Sequence, residues 1–327
     1  MKKASALFLS AAGLTALAVK NRIDAAAVLP PDSSRPIDVD GLRLYVIEEG
    51  PTDARAVVLL HGSAGSCWGA EQLLPLLKDR YRVVVPERPG QGWSDQPRSY
   101  RLADMTETVY KALRLLSVER PILVGVSYGG GVAMRMVVDH PGFADGLLLL
   151  ASDGPSWTLE GHSEETVMKL ASTMLTKPLV GPFLAWTFVP YIVRLFFERA
   201  LRGKFGPDRD CLSAMYVQRA KEIYSRPSII LAAAREWLHE AEDLAELEPA
   251  LPTIHVPTWA VSAELDSFVP PHVGEAIART IPGARHVCLS GAPHGFPESR
   301  PAETARLLDE FVAEVNRDRP EQHAQPL

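Results

Sequence analysis

The chain has 327 residues, of which 46% are hydrophobic, and a formal net charge of −6 at pH 7. A chain of this length can bury a large core, either as one α/β domain with an insertion or as two domains. The acidic balance, without any strongly basic stretch, argues against nucleic acid as a partner.

The chain opens with an apolar segment. Lys2 and Lys3 precede residues 4–19, which are uncharged and mostly apolar. A helix of that length spans about 24 Å, less than the roughly 30 Å hydrocarbon core of a bilayer. Residues 1–27 therefore predict either an uncleaved membrane anchor or a signal peptide cleaved near Ala25. We expect the anchor, because the charged residues 20–24 separate the apolar run from that cleavage site. An anchor and a signal peptide both imply a membrane-associated or exported protein rather than a cytoplasmic one.

Strand patterns follow a proline-bearing linker, residues 28–36. Residues 37–46 alternate around an Asp-Gly turn, which predicts a hairpin. Residues 56–60 form a continuous apolar run, typical of a strand that is buried on both faces. A further strand is predicted over residues 81–86 and a helix over residues 102–116.

The segment Gly125-Val126-Ser127-Tyr128-Gly129 stands between an apolar strand pattern and a helix-compatible stretch. In that context G-x-S-x-G predicts a sharp elbow that exposes a serine hydroxyl above a sheet. Gly125 and Gly129 leave room for close packing around the turn. The helix N-terminus behind the serine offers N–H groups to a developing oxyanion. Ser127 is therefore a candidate nucleophile.

The rest of the chain alternates strands and helices around one helical block. Because of this alternation we expect a mostly parallel, doubly wound sheet, with ligands at the carboxyl ends of its strands. The predicted core comprises residues 37–153 and 252–316, and residues 317–327 form a polar tail. Residues 154–251 read as a helical cap inserted between two strands, with helices at residues 164–176, 182–201, 208–225 and 227–244.

Over residues 37–315 the chain resembles α/β-hydrolase fold enzymes that carry a helical cap. The resemblance rests on five motifs in the family's order: His61-Gly62, residues 88–94, residues 125–129, Asp266 with Pro270, and Pro293-His294-Gly295. It implies an eight-stranded sheet and a nucleophile–acid–base order of Ser, Asp and His along the chain.

The resemblance assigns roles to single residues. Ser127 would be the nucleophile, His294 the base that activates it, and Asp266 the acid that orients the imidazole. Glu264 and Asp153 are rival positions for the acid. The oxyanion hole would use the backbone N–H groups of Tyr128 and Ser63.

Three residues near these motifs are interpreted as scaffold or depart from the family pattern. His61 is expected to brace the oxyanion loop rather than to catalyse. Ala64 stands where many relatives have proline, and Glu87 where they often have aspartate. The loop that contains Ser63 is therefore the part of the site that the resemblance fixes least.

The predicted function is hydrolysis of a small-molecule ester or related carbonyl compound, apolar in character, without cofactor or metal. A serine at position 127 excludes the relatives that open epoxides or remove halides with a carboxylate nucleophile. Alternatives are a C–C bond hydrolase or a cofactor-free perhydrolase on the same residues, and a non-catalytic binding protein. Neither metal nor P-loop motifs are present, and the cysteines Cys67, Cys211 and Cys288 lack zinc-site spacing.

Residues 182–197 in the cap are apolar on nearly all sides. One interpretation is a buried helix that lines the pocket. The other is a surface that dips into lipid, which would add a membrane contact to that of residues 4–19. Pro190 and Arg194 argue against a complete membrane span.

Overall fold

The structure, a computed structural model, describes residues 11–154 and 165–317; for residues 165–168 it describes the backbone only. One eight-stranded sheet runs through the described residues in the order β1-β2-β4-β3-β5-β6-β7-β8. The strands are β1 Ser34–Val39, β2 Leu42–Glu49, β3 Ala56–Leu60, β4 Arg82–Pro86, β5 Ile122–Val126, β6 Gly146–Leu150, β7 Thr258–Ala263 and β8 Arg285–Leu289.

Helices flank the sheet and form the insertion after β6. Those of the core are α2 Leu74–Leu77, α3 Leu102–Leu115, α4 Tyr128–Asp139, α10 Pro271–Thr280, α11 Phe296–Ser299 and α12 Pro301–Arg317. Helix α1, Ala11–Ala27, precedes the sheet. The cap contains α5 Glu165–Thr176, α6 Val180–Thr187, α7 Val189–Phe205, α8 Ala214–Tyr224 and α9 Pro227–Leu247.

The sheet is parallel from β4 to β8 and antiparallel at one edge. β1 pairs antiparallel with β2, and β2 pairs antiparallel with β4. The turn between the first two strands uses Asp40 and Gly41, both with positive φ, as a tight hairpin turn requires. β1 begins at Ser34, so the last three residues of the predicted linker belong to the sheet.

Apolar side chains cover both faces of the sheet. All five residues of β3 and of β6 are buried, as their continuous apolar sequences predict. One face packs against α3, α4 and α10, and the other against α2 and α12. The doubly wound α/β architecture expected from the alternating pattern is therefore confirmed.

The cap differs from its predicted helices in two places. The single helix expected over residues 182–201 is two helices, α6 and α7, bent by 61° around Phe188. Pro190 explains the break, because proline has no N–H for helix interior bonding and is tolerated only in a first turn. The helix expected from residue 208 begins at Ala214, where the Ser213 side chain caps it by accepting the N–H of Tyr216.

Helix α1 runs without interruption through the charged residues 20–24, where Lys20 and Asp24 form an ion pair one turn apart. It lies against the cap: the side-chain amide of Asn21 donates to the carbonyl oxygens of Trp186 (2.9 Å) and Thr187 (3.1 Å). Residues 1–10 lie outside the described chain, so the anchor and the signal peptide both stay predictions.

Close packing at the end of β5 predicts that Gly129 cannot be replaced by alanine without loss of stability. A Cβ on Gly129 would lie 2.1 Å from the carbonyl oxygen of Leu60, whereas a Cβ on Gly131 would meet its nearest atom at 3.4 Å. We expect Gly129→Ala to lower the free energy of unfolding by about 2 kcal/mol through overpacking. Gly131→Ala, the matched control in the same helix, should leave it unchanged or raise it by up to about 1 kcal/mol. Urea unfolding curves of equal midpoint for the two variants would contradict this packing.

Candidate active site

Ser127 lies at the junction of β5 and α4, half-buried and in a strained conformation. Its φ is 52° and its ψ is −129°, a region that non-glycine residues rarely adopt. Backbone bonds hold it there, since its N–H donates to the carbonyl of Leu150 (3.1 Å) and its carbonyl accepts the N–H of Gly130 (2.7 Å). A Cβ on Gly125 would lie 2.5 Å from the Cα of Gly130, so only glycine fits where the helix crosses the strand.

The loop after β3 passes directly beside this serine. A Cβ on Gly62 would lie 3.1 Å from the Cβ of Ser127 and 3.6 Å from its Oγ. Tyr128 begins α4, so its N–H belongs to the first turn, whose donors have no intrahelical partner. The residues expected to form an oxyanion hole, Ser63 and Tyr128, therefore lie on the two segments that flank Ser127.

The loop departs from the proline-containing family pattern for a geometric reason. Ala64 has a φ of 53°, which a proline ring cannot adopt. The hydroxyl of Ser63 donates to Glu236 on α9 (3.1 Å), so the cap helps to hold this loop.

His294 and Asp266 form a hydrogen-bonded pair. The Nδ1 of His294 lies 2.7 Å from Oδ2 of Asp266, whose side chain is completely buried. The other oxygen of Asp266 accepts the backbone N–H groups of Phe268 and Val269, both at 2.8 Å. These bonds fix the carboxylate and leave Nε2 of the imidazole on the side away from it.

The two rival acids make other hydrogen bonds, although Asp153 is close enough to His294 and Asp266 to interact with them electrostatically. Glu264 is exposed and accepts the hydroxyl of Ser290 (2.8 Å) and the N–H of Gly291 (2.7 Å). Asp153 is buried and hydrogen-bonds Glu240 of the cap. Of the three candidate acids, Asp266 is the one in hydrogen-bond contact with the His294 ring.

His61 hydrogen-bonds both the loop after β3 and the loop after β4. Its Nε2 accepts the backbone N–H of Arg88 (3.1 Å), so Nδ1 carries the proton and donates to the carbonyl of Gly62 (3.0 Å). Burial and the nearby Arg88 cation lower the pKa of His61 to about 3. The ring is therefore neutral, and both of its nitrogens are occupied.

The loop after β4 is organised around buried Glu87. One of its carboxyl oxygens accepts the backbone N–H groups of Trp93 (2.7 Å) and Ser94 (3.1 Å). Burial raises the pKa of Glu87 to about 7. These bonds close the loop, and the neighbouring Arg88 side chain is buried.

A buried ion pair then joins this loop to the cap. The Arg88 guanidinium pairs with Glu236 of α9, and both side chains are fully buried. The same guanidinium donates to the carbonyl of Gly62 (2.8 Å), and its Cζ lies 4.5 Å from the centroid of the Tyr128 ring. One cation therefore contacts the loop after β3, Tyr128 and the cap helix α9.

A second buried acid on α9 lies one turn further along. Burial raises the pKa of both Asp153 and Glu240, and the hydrogen bond between them raises the pKa of Glu240 further while it lowers that of Asp153. The Tyr128 hydroxyl is buried in the field of these acids and has no hydrogen-bond partner among the described residues. The surroundings of Tyr128 are thus polar, in contrast to the apolar substrate expected from the cap sequence.

Sequence reasoning missed the acids of α9. Glu236, Glu240 and Asp243 follow the i, i+4, i+7 spacing of one helix face and are all buried. That spacing is equally typical of a solvent-exposed helix face. Only the positions of Arg88 and Asp153 in the structure distinguish a buried acidic face from an exposed one. Across residues 11–154 and 165–317, no group of three or more His, Cys, Asp or Glu side chains could hold a metal ion.

The comparisons with known proteins agree with this architecture. The model of the alpha/beta hydrolase family matches residues 57–307, and the chain belongs to this family. The resemblance found in the sequence motifs is therefore confirmed.

Individual relatives cover most of the chain. It is 29% identical to the magnesium-chelatase 30 kDa subunit of Rhodobacter capsulatus over 250 residues, which are 73% of this chain and 81% of that protein. It is 26% identical to the pimeloyl-[acyl-carrier protein] methyl ester esterase of Edwardsiella ictaluri, with 79% and 93% covered. The crystal structure of Cfl2 from Burkholderia cenocepacia superposes with a TM-score of 0.73 at 23% identity, over 86% of this chain and 97% of that one.

Proposed function

We propose that the protein is a serine hydrolase that cleaves an ester or related carbonyl substrate. The contact between His294 and the buried carboxylate of Asp266 is the observation that carries this proposal. It is the arrangement that holds a catalytic imidazole in the required tautomer and stabilises its cation. The strained elbow at Ser127 and the esterase among the relatives add support.

In the proposed mechanism His294 removes the proton from the Ser127 hydroxyl as the oxygen attacks the substrate carbonyl. The backbone N–H groups of Tyr128 and Ser63 stabilise the oxyanion of the tetrahedral intermediate. The imidazolium then protonates the leaving alcohol, which departs and leaves an acyl group on Ser127. Water, activated by the same imidazole, hydrolyses this acyl-enzyme and regenerates the serine.

A panel of chromogenic esters with graded acyl chain lengths tests the reaction class. We expect measurable turnover of at least one ester, and loss of that turnover to background in Ser127→Ala, because the variant lacks the attacking oxygen. The variant removes one small hydroxyl and should unfold at the temperature of the unchanged protein. Turnover close to that of the unchanged protein would contradict the proposed nucleophile, and a folded protein that cleaves no ester would favour C–C bond hydrolysis or ligand binding.

The choice of acid is tested by two matched substitutions. Asp266→Asn should lower kcat by about 10⁴, because the amide favours the wrong imidazole tautomer. Asp153→Asn should cost far less, since Asp153 bonds Glu240 rather than His294. Steady-state kinetics on the same ester, with thermal unfolding as the control for folding, distinguishes the two. A loss that falls mainly on Asp153→Asn would move the acid to the end of β6.

A further inference from the structure

Helix α7 exposes apolar side chains on the face that points away from the protein. From Phe188 onward, the exposed residues Tyr191, Ile192, Leu195 and Phe196 follow the i, i+3, i+4, i+7, i+8 spacing of one helix face. The buried side of the helix is also apolar, with Phe197, Leu201 and Phe205 among its residues. A helix at a water-exposed surface normally carries polar residues on its outer face. Leu195 is 75% exposed, so this face has no cover among the described residues.

Neighbouring cap helices extend the same surface. The rings of Phe183 on α6 and Phe188 lie 6.2 Å apart in an edge-on contact, which joins the outer faces of α6 and α7. Leu179, at the start of α6, is 87% exposed. We call these side chains the cap face: Leu170, Met174, Leu179, Val180, Phe183, Phe188, Tyr191, Ile192, Leu195 and Phe196. Contiguous apolar surface of this kind marks a site of interaction.

A second apolar element from a distant part of the chain lies beside the cap face. Helix α1 buries only Leu17 and Asn21 of its 17 residues, while Val19 and Ile23 are exposed. Asn21 binds the last carbonyls of α6, which the helix break at Phe188 leaves without helical partners. The uncharged residues 4–10 precede α1 in the sequence. Helix α1 is thus fixed to the cap helix α6 by Asn21.

Basic side chains outnumber acidic ones in the cavity between α1, α7 and α8, where Arg194, Lys221 and Arg226 accompany Asp24 and Glu222. The Arg22 guanidinium lies 5.1 Å from the Trp186 ring, and Arg194 lies beside Asn21 in the space between α1 and α7. Lys2 and Lys3 precede the apolar segment. Basic residues around an apolar surface complement the anionic headgroups of a membrane.

We propose that the cap face and helix α1 dock together on the surface of a lipid bilayer. No single helix among the described residues is long and apolar enough to cross a membrane, while α6 and α7 qualify only as a pair bent by 61°. Docking in the interface requires no span, because apolar side chains need to enter only the headgroup and upper acyl region. Docking then transfers exposed apolar side chains of the cap face from water into the bilayer.

Vesicle cosedimentation of the full-length protein tests this docking. The triple variant Ile192→Ser, Leu195→Ser and Phe196→Ser should bind phosphatidylcholine–phosphatidylglycerol vesicles at least about tenfold more weakly, because three apolar side chains no longer enter the lipid. The control variant Leu76→Ser and Leu115→Ser removes exposed leucines from the core helices α2 and α3, and it should bind as the unchanged protein does. Vesicles of phosphatidylcholine alone should bind more weakly than those with the anionic lipid.

Four results would overturn the proposal. Three concern the vesicles: no binding by the unchanged protein, equal binding by the triple variant, or equal losses in both variants. A fourth is a dimer in solution that the triple variant converts to a monomer without any vesicle binding, since a second copy would then cover the cap face. Thermal unfolding and soluble-ester turnover should be the same for the unchanged protein and both variants. Because binding is measured without substrate, its outcome is independent of the proposed hydrolase reaction.

Discussion

The site depends on the close crossing of α4 over the ends of β3 and β5. Gly125 and Gly129 have no room for a side chain there, because the carbonyl of Leu60 and the backbone of Gly130 occupy the space. This crossing sets the conformation of Ser127 and brings the first N–H groups of α4 to the same edge of the sheet as the loop containing Gly62. Strain at such a residue persists only where its surroundings over-determine it.

A second constraint connects this edge to the cap. Arg88 and Glu236 are buried together, and the Arg88 side chain also binds the carbonyl of Gly62. Removing one member of a buried ion pair typically costs about 3–5 kcal/mol, since the other charge is left without compensation. Glu240 and Asp153 add a further cap–core contact. The cap is therefore coupled electrostatically to the loop after β3, whose conformation depends on Glu236, 173 positions after Ser63 in the sequence.

The sheet and the elbow were predictable because their signals are local. Apolar runs mark β3 and β6, and the glycines around Ser127 mark a turn that few other residues could make. The proximity of His294 to Asp266 followed from the family motifs, since no local pattern relates residues 28 positions apart. Their catalytic roles, and that of Ser127, stay predictions.

Features that depend on distant partners were not predictable. The burial of Glu236 follows from Arg88, and nothing in the helix sequence distinguishes it from a solvated acid. Apolar residues continue on both sides of Pro190 and so hide the break at Phe188, and the charged residues 20–24 give no sign that α1 runs through them. The position of Asn21 could not be predicted for the same reason, because its hydrogen-bond partner is a carbonyl that a helix break in the distant cap makes available.

Covalent labelling tests directly whether Ser127 is the nucleophile of a hydrolase. The folded full-length protein would be treated with a serine-directed fluorophosphonate, digested, and mapped by tandem mass spectrometry. We expect a single phosphonate adduct on Ser127 and none on Ser63, although both residues belong to segments at the same edge of the sheet. An adduct on another serine, or a folded protein without any adduct, would contradict this expectation.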